Sequence, residues 1–272
     1  MEQAARLVTY SQHKAGRWER IEAGVIVEQP VSLTVNGEVW MSFMCTPTDL
    51  EALALGFLYN ENLLQSMDEV ASVRVCPTQD NVDVWLNRAV ENPKSWRRTS
   101  GCTGGVTAAD PAETNAKVPV SFTLAPDRIS DLVADLFDSQ QIYREVGGVH
   151  TSVISDGQQV LLSAEDIGRH NTLDKLAGYS LLRGICTAQR ILLTTGRVSS
   201  EMMQKAARMA VPVVISRTSP SSLSIELAER WGITLVGYAR RDRFSVYSRP
   251  ERISSDLLHV PQEINAPIQK GV

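Results

Sequence analysis

The hydrophobic and polar positions of the first hundred residues predict a mixed α+β unit. Apolar and polar side chains alternate on either side of Asn36-Gly37, a dipeptide typical of a type I′ hairpin turn. Residues 50–59 have the apolar spacing of a helix, for which Thr48 or Asp49 is the predicted N-cap. Residues 1–20 show neither pattern, and we expect them to be loose. The predicted strands cover residues 31–35, 38–43, 70–75 and 82–86.

From residue 128 onward, strands and helices are predicted to alternate. Gly178 and Gly232 are the predicted ends of two helices, because glycine readily adopts the left-handed backbone that closes a helix. The strands are short and apolar, which is typical of a sheet covered by helices on both faces. We expect the last three strands to be parallel or mostly so. The predicted strands cover residues 148–154, 159–163, 191–195, 213–216 and 234–238, and the predicted helices cover 128–137, 168–177, 200–210 and 221–231.

These elements together predict an α/β protein of two parts. A smaller N-terminal α+β domain covers residues 21–120. A C-terminal α/β domain over residues 121–255 has a mixed, mostly parallel sheet, and a loose tail follows over 256–272. The chain of 272 residues is 43% hydrophobic, which is enough to form the core of such a fold. Residues 88–120 carry no periodicity, and a segment of that length without structure is usually functional or disordered.

Cys102 lies in this irregular segment, within Thr-Ser-Gly-Cys-Thr-Gly-Gly, where no neighbouring side chain is large enough to shield its sulfur. Arg97 and Arg98 precede it, and nearby cations and free backbone amides favour the thiolate over the thiol. These features predict a chemically active cysteine. The alternative is a glycine turn with an incidental cysteine. The other three cysteines lie in or beside apolar segments and are interpreted as packing residues: Cys45, Cys76 and Cys186.

Composition and spacing exclude several classes of protein. The net charge of −4 gives no basic field for nucleic acid, and no apolar run reaches the ~18 residues that span a bilayer. The sequence has no secretory leader and no paired cysteine spacing, so we expect a cytoplasmic protein with free thiols. The spacings of zinc sites, C-x-x-C and H-E-x-x-H, are absent, and we expect no structural or catalytic metal.

Arginines follow each of the last three predicted strands. Arg197 comes after the first strand, Arg217 after the second, and Arg240, Arg241 and Arg243 after the third. In open α/β sheets ligands bind outside the carboxyl ends of the strands, so we expect these arginines at one edge. Guanidinium groups and the serine-rich helix starts that follow two of these strands both suit phosphate. We therefore predict an anionic, phosphorylated ligand, with ordinary surface arginines as the alternative.

A dense group of ionisable residues occupies the predicted strand–helix junction at residues 165–175. Glu165, Asp166 and His170 belong to it, and His150 lies in a neighbouring predicted strand. Such density is uncommon for a purely structural turn and marks a candidate site. The alternative is structural, with Asp166 as the N-cap of the helix and a surface network of charged side chains around it.

The segment from Glu165 to Lys175, EDIGRHNTLDK, closely resembles the signature of the formate dehydrogenase accessory sulfurtransferase family, FdhD. Similar segments follow the family's order, so that the resemblance covers about residues 25–250; they are residues 46–58, 196–205 and 225–238. The resemblance implies a C-terminal domain like the cytidine deaminase fold without its zinc. It also implies a cytoplasmic carrier that receives persulfide sulfur from a cysteine desulfurase. The carrier passes this sulfur to the molybdenum cofactor, bis-molybdopterin guanine dinucleotide, before the cofactor enters formate dehydrogenase.

The resemblance also implies roles for particular residues. The family's persulfide-bearing cysteine corresponds to Cys102, and its guanine-dinucleotide-binding stretch corresponds to Tyr238, Ala239, Arg240, Arg241, Asp242 and Arg243. We add Arg197 as a phosphate ligand, and four residues as candidates for shaping the cofactor pocket: His150, Glu165, Asp166 and His170. The expected partners are a cysteine desulfurase and formate dehydrogenase, with no nucleic acid or membrane partner, and a homodimer is one expected assembly.

One position departs from the family pattern. Most members carry C-x-x-C in this segment, whereas the residue three positions after Cys102 is Gly105. One thiol still holds a persulfide, but it cannot release the outer sulfur by closing a local disulfide. The alternative function is therefore a chaperone that binds the molybdopterin dinucleotide without moving sulfur. A third interpretation, a deaminase-like hydrolase, lacks the metal ligands that its chemistry requires.

Overall fold

The computed structural model describes residues 4–98, 106–108, 118 and 123–253 of the chain. Its strands are β1 (Ala5–Lys14), β2 (Arg17–Ile26), β3 (Gln29–Val35), β4 (Glu38–Cys45), β5 (Val70–Val75), β6 (Asn81–Leu86), β7 (Arg97–Arg98), β8 (Val106–Thr107), β9 (His150–Ser155), β10 (Val160–Asp166), β11 (Ile191–Thr194), β12 (Val213–Ser216), β13 (Thr234–Gly237) and β14 (Ser245–Ser248). Its helices are α1 (Leu50–Asn60), α2 (Pro126–Asp138), α3 (Ile142–Val146), α4 (Arg169–Arg183), α5 (Ser200–Arg208) and α6 (Ser222–Trp231). Short 3-10 turns cover Met67–Glu69 and Pro250–Arg252.

Four strands form the N-terminal sheet, in the order β4-β3-β6-β5. β3 and β4 are joined by Asn36 and Gly37, whose φ angles of 49° and 84° are those of a type I′ turn. The predicted hairpin is therefore confirmed. β3 and β6 run parallel, and alternate residues along them, such as Val31 and Leu33, are buried in one core with α1. This one-sided burial accounts for the alternation in the sequence.

Helix α1 lies between this sheet and α4, and two glycines allow the helices to touch backbone to backbone. A Cβ atom on Gly56 would lie 1.8 Å from the carbonyl oxygen of Asp174, and one on Gly178 would lie 1.9 Å from a carbonyl oxygen of α1. Gly178 therefore serves close packing inside α4, and the prediction that it ends the helix is wrong. The helix ends before Gly184, which has φ 62°. Asp49 is the N-cap residue of α1, one of the two predicted positions, but it has a left-handed backbone and makes no side-chain capping hydrogen bond.

Six strands form the C-terminal sheet, in the order β10-β9-β11-β12-β13-β14. β11, β12 and β13 are parallel, as predicted, and the other neighbours pair antiparallel. One face packs on α4, α5 and α6 through residues such as Leu192 and Val214. The other face packs on α2 through residues such as Leu193 and Ile215. The predicted α/β fold, with a mixed sheet covered by helices on both faces, is confirmed.

The N-terminal residues form a long hairpin, so the prediction that residues 1–20 are loose is wrong for the part that the structure describes. β1 and β2 pair antiparallel along their whole length. Most of their side chains are exposed, including that of Trp18 at 73%. Because neither face is buried, no apolar–polar alternation is imposed on the sequence. Only the turn at Ala15-Gly16, with positive φ at both residues, has a recognisable signal. The sequence prediction also omits α3 and β14.

The predicted domain boundary at residue 120 and the predicted tail over 256–272 lie outside the described residues and stay predictions. The N-terminal and C-terminal sheets fall on either side of that boundary. They are connected through the close contact between α1 and α4. Among the helices of the described ranges, none combines the length and apolarity needed to cross a bilayer.

Candidate functional site

Cys102 lies outside the described residues, in the segment that joins β7 to β8. These two strands pair antiparallel. At the end of β8 the chain is held by a buried carboxylate: Thr107 Oγ1 donates to Glu61 Oε2 at 2.9 Å, and the amide of Ala108 donates to the same oxygen at 2.8 Å. Glu61 immediately follows α1. The segment that contains Cys102 is thus attached at its C-terminal end to the end of α1.

The carboxyl ends of β11, β12 and β13 meet at one edge of the C-terminal sheet, and arginines follow each strand as predicted. We call five residues the arginine edge: Arg197, Arg217, Arg240, Arg241 and Arg243. Arg217 Nη1 donates to the carbonyl oxygen of Ala239 at 2.5 Å, and Arg240 Nη1 donates to that of Arg217 at 2.6 Å. Burial and the neighbouring Arg240 lower the pKa of Arg217. Two cations are therefore held side by side, an arrangement that a bound anion would stabilise.

Tyr238 begins the turn that follows β13. It has a left-handed backbone with φ 51°, and its side chain leaves the residue 48% exposed. Its amide donates to the carbonyl oxygen of Thr218 at 2.9 Å, and the amide of Arg240 donates to that of Arg243 at 2.8 Å. Ala239 is buried beneath the turn. The backbone is thereby fixed, whereas three consecutive side chains are exposed: Arg241, Asp242 and Arg243.

His150 and His170 lie at the same edge, where β9 and α4 begin. His170 Nε2 lies 3.3 Å from Oγ of Ser199, the N-cap of α5, and His150 Nδ1 lies 3.4 Å from Thr195 Oγ1. Burial, more than any neighbouring charge, lowers the pKa of His170 to about 3. Burial and the nearby Arg169 lower the pKa of His150. Both imidazoles are therefore neutral at pH 7, and each has one nitrogen that donates and one that accepts.

Gly196 allows α4 to approach the end of β11 closely. A Cβ atom at this position would lie 2.9 Å from Cβ of Arg169 and 3.5 Å from His150 Nδ1. Ser216 Oγ donates to the Gly196 carbonyl oxygen at 2.8 Å and fixes the backbone. Any larger residue at position 196 would push Arg169 or His150 away from the edge, so glycine is part of the site's shape.

The carboxylates of Glu165 and Asp166 are held by groups of the protein itself, and their role in shaping a cofactor pocket stays a prediction. The Glu165 carboxylate accepts from three backbone amides at the start of α3, at distances between 2.7 and 3.1 Å. Asp166 pairs with Lys175 at 2.8 Å and accepts from the amides of Thr46 and Gly168. The structural alternative had Asp166 as the N-cap of the helix within a surface network, whereas the N-cap of α4 is Gly168 and the network around Asp166 is buried.

Sequence reasoning missed a buried group beside the attachment point of the Cys102 segment. Lys205 Nζ lies 2.7 Å from Asp174 Oδ1 and 3.6 Å from Glu61 Oε1. Asp174 and Lys205 lie in the segments that resemble the family, and this was the only sequence signal that could have pointed to them. Glu61 carries no local signal, because its contact with Thr107 spans 46 residues of sequence.

The described residues offer no group of three or more His, Cys, Asp and Glu side chains that could hold a metal ion. A cavity of about 300 Å³ lies between the start of α1 and the second half of α4, and residues such as Asp49, Val75 and Tyr179 line it. None of the predicted site residues lines this cavity. The arginine edge, rather than this cavity, is therefore the candidate ligand site.

Comparison with known proteins finds similar chains. The model of the FdhD/NarQ family matches residues 26–254. Two relatives named "Sulfur carrier protein FdhD", from Staphylococcus aureus strains MRSA252 and bovine RF122 / ET3-1, are 36% and 37% identical over 236 residues, which cover 84% of this chain and 88% of each relative. The crystal structure of a "putative formate dehydrogenase accessory protein" from Desulfotalea psychrophila has a TM-score of 0.80 and 30% identity, over 92% of this chain and 100% of that chain.

Proposed function

Because the chain belongs to the FdhD/NarQ family, we propose that it is a sulfur carrier for the maturation of formate dehydrogenase. Cys102 accepts persulfide sulfur from a cysteine desulfurase. It passes this sulfur to the molybdenum cofactor, bis-molybdopterin guanine dinucleotide, before the cofactor enters formate dehydrogenase. The names of the two relatives and of the solved structure support the general role. The arginine edge is the observation that carries the choice of an anionic dinucleotide as the acceptor.

The arginine edge suits a guanine dinucleotide in charge and in shape. Guanidinium forks match the oxygens of phosphate groups bidentately. α5 and α6 begin beside the edge with N-terminal turns capped by Ser199 and Ser221, and helix N-termini also favour phosphate. The exposed ring of Tyr238 provides a surface on which a guanine base can stack.

The neutral histidines complement the arginines. Guanidinium groups only donate hydrogen bonds, whereas a neutral imidazole also accepts one. Because the pKa values of His150 and His170 are lowered, their rings remain uncharged at pH 7 and can accept from donor groups of the cofactor. We assign them to the wall of the pocket next to Arg197 rather than to phosphate binding.

Loading needs one nucleophile. The Cys102 thiolate attacks the outer sulfur of the donor's persulfide, so that a new S–S bond forms on Cys102, the donor's S–S bond breaks and the donor leaves as a thiolate. One persulfide is exchanged for another, and no external oxidant is required. Arg97, which is exposed on β7, adds positive charge near the segment and favours the thiolate.

Release of the outer sulfur as sulfide needs two electrons. With Gly105 in the place of a second cysteine, we assign this reduction to an external thiol. The thiol attacks the inner sulfur of the Cys102 persulfide, forms a mixed disulfide with Cys102 and expels the outer sulfur. A second thiol then restores the Cys102 thiol and leaves as the external disulfide.

The second candidate function is a chaperone that binds the cofactor without moving sulfur. Gly105 favours it, because the local disulfide that would drive release cannot form. This function needs the arginine edge but not Cys102, and that difference separates the two proposals.

Mass spectrometry decides between them. Protein incubated with a cysteine desulfurase and cysteine is expected to gain the mass of one sulfur atom on Cys102, and Cys102→Ala is expected to gain none. The Cys102→Ala variant should still bind a guanine nucleotide, because the arginine edge is on a different part of the chain. If the wild type gains no sulfur while Cys102→Ala still supports active formate dehydrogenase, the chaperone function replaces the carrier function.

A further inference from the structure

The cavity of about 300 Å³ between the start of α1 and the second half of α4 takes no part in the function proposed above. Tyr179, on its α4 side, follows His170 by nine residues, which is about 14 Å along the helix from the arginine edge. We propose that this cavity is a docking pocket for an arginine side chain of a partner protein. The proposal does not depend on the sulfur-carrier function.

Asp49 brings to the cavity a carboxylate that its own helix does not use. An aspartate at the N-cap normally accepts from an amide of the first turn, but Asp49 has a left-handed backbone with φ 55° and makes no side-chain capping hydrogen bond. Burial and a side-chain hydrogen bond with Asp49 raise the pKa of Tyr179. The Tyr179 hydroxyl, which is the donor in this bond, therefore links α4 to the carboxylate that α1 leaves free.

The charge of the cavity is negative. Glu51, in the first turn of α1, lines it together with Asp49, and neither carboxylate forms an ion pair with another described residue. The start of α1 adds about half a positive charge, which two full negative charges outweigh. Arg183 stacks on the Tyr179 ring at 4.8 Å from its centroid, but it does not line the cavity. The cavity therefore favours a cation.

The other walls of the cavity are mostly apolar and include Leu50, Val75 and Leu182. Apolar walls suit the methylene stem of a long basic side chain, and the carboxylates suit its charged end. An arginine fits better than a lysine, because a guanidinium is less strongly hydrated than an ammonium and pairs with a carboxylate through two parallel hydrogen bonds. A metal ion fits poorly, because the described residues offer no group of three or more His, Cys, Asp and Glu side chains to hold it.

The rim of the cavity indicates that the arginine belongs to a protein. Asp49, Glu51 and Leu182 are exposed, so a side chain can enter from solvent while its own backbone stays outside. No lining residue is a cation that could pair with the α-carboxylate of free arginine, and the two acidic residues would repel that carboxylate. Arginines that fill pockets are also among the side chains that contribute most to binding between proteins.

A blocked tripeptide, acetyl-Gly-Arg-Gly-amide, tests this by NMR of the methyl groups of Leu50, Val75 and Leu182. We expect their signals to shift and to saturate as the tripeptide is added. The same tripeptide with citrulline, which keeps the shape of arginine and loses its charge, should bind roughly ten-fold more weakly or less. Asp49→Asn should raise the Kd of the arginine tripeptide about three- to ten-fold. Asparagine also tolerates the left-handed backbone, so this variant keeps the local fold.

Asp127→Asn is the matched control, because Asp127 is an exposed aspartate in the first turn of α2 and does not line the cavity. Its Kd should equal that of the wild type at an ionic strength of about 0.15 M, where long-range attraction is screened. The proposal is overturned if the methyl signals do not shift, if the citrulline tripeptide binds equally well, or if the two aspartate variants lose equal affinity. Free arginine that binds as tightly as the tripeptide overturns the assignment to a partner protein.

Discussion

Removal of one guanidinium from the arginine edge should weaken nucleotide binding by an amount that the structure allows us to work out. The side chain of Arg243 is exposed at the turn after β13 and forms no ion pair with another described residue. Arg243→Ala therefore disrupts little in the ligand-free protein, and its effect reports on the ligand. A charged hydrogen bond to phosphate contributes about 1.5–3 kcal/mol. The expected increase in Kd is roughly 10- to 150-fold.

Arg240→Ala should differ from Arg243→Ala in a second measurement. Arg240 Nη1 donates to the carbonyl oxygens of Arg217 and Ala239, at 2.6 and 3.3 Å, so its loss also leaves part of the turn without a donor. We expect a similar loss of nucleotide affinity together with a decrease of about 1 kcal/mol in the free energy of unfolding.

Isothermal titration calorimetry with GDP measures these affinities, and Arg20→Ala is the control because Arg20 is exposed on β2, in the N-terminal hairpin. Titrations at low ionic strength and at about 0.15 M separate direct contacts from long-range attraction, because salt screens the long-range part. The difference between Arg243→Ala and Arg20→Ala should persist at the higher ionic strength. Equal Kd values for the three variants at both ionic strengths would refute the assignment of the arginine edge as the phosphate site.

Three further predictions concern cysteine chemistry and pH. Brief treatment with iodoacetamide at neutral pH should alkylate Cys102 before the other cysteines, and Cys45 last, because burial and the nearby Asp166 raise the pKa of Cys45 to about 12; peptide mapping that finds another cysteine modified first contradicts this order. Persulfidated protein should release sulfide only when an external thiol is added, and Gly105→Cys should release it without one; equal release rates in the two proteins would argue against the assigned reductant. Burial lowers the pKa of the His170 imidazole from 6.5 to about 3, so as the pH falls the imidazole is protonated in the unfolded state before it is protonated in the folded state. The free energy of unfolding therefore decreases by up to about 1.4 kcal/mol per pH unit below pH 6.5. Urea unfolding at pH 7 and pH 5 should show a smaller loss for His170→Gln than for the wild type, and an equal loss would exclude His170 as the cause.

The parts of the fold that follow from local rules could be predicted from the sequence. Asn36-Gly37 has the backbone preferences of one turn type, and the strands around it bury one face, so the pattern and the turn agree. The arginine edge was predictable because parallel strands with buried, apolar residues must end on the same side. In both cases the information lies within a few residues of the feature.

The errors occur where distant contacts override local preference. Glycine is typical of a helix end, which is the basis of the prediction for Gly178. In the structure α1 approaches this position so closely that only glycine fits there, inside α4. The density of charge around Glu165 and Asp166 gave no sign that backbone amides and Lys175 would bind their oxygens, and their role in a pocket stays a prediction. Sequence alone cannot distinguish a carboxylate aimed at solvent from one aimed at the core. Glu61 is the converse case, a buried carboxylate whose partners Thr107 and Lys205 come from two remote segments.

Buried polar contacts beside both ends of α1 explain how the two sheets keep one arrangement. At one end Asp166 and Lys175, whose side chains are both 0% exposed, form an ion pair. Asp166 Oδ2 also accepts a hydrogen bond from the amide of Thr46, which follows β4. At the other end Lys205 pairs with both Asp174 and Glu61. Apolar packing alone is non-directional and tolerates sliding of one helix along another. A slip of one residue, about 1.5 Å, would break both sets of directional contacts at once.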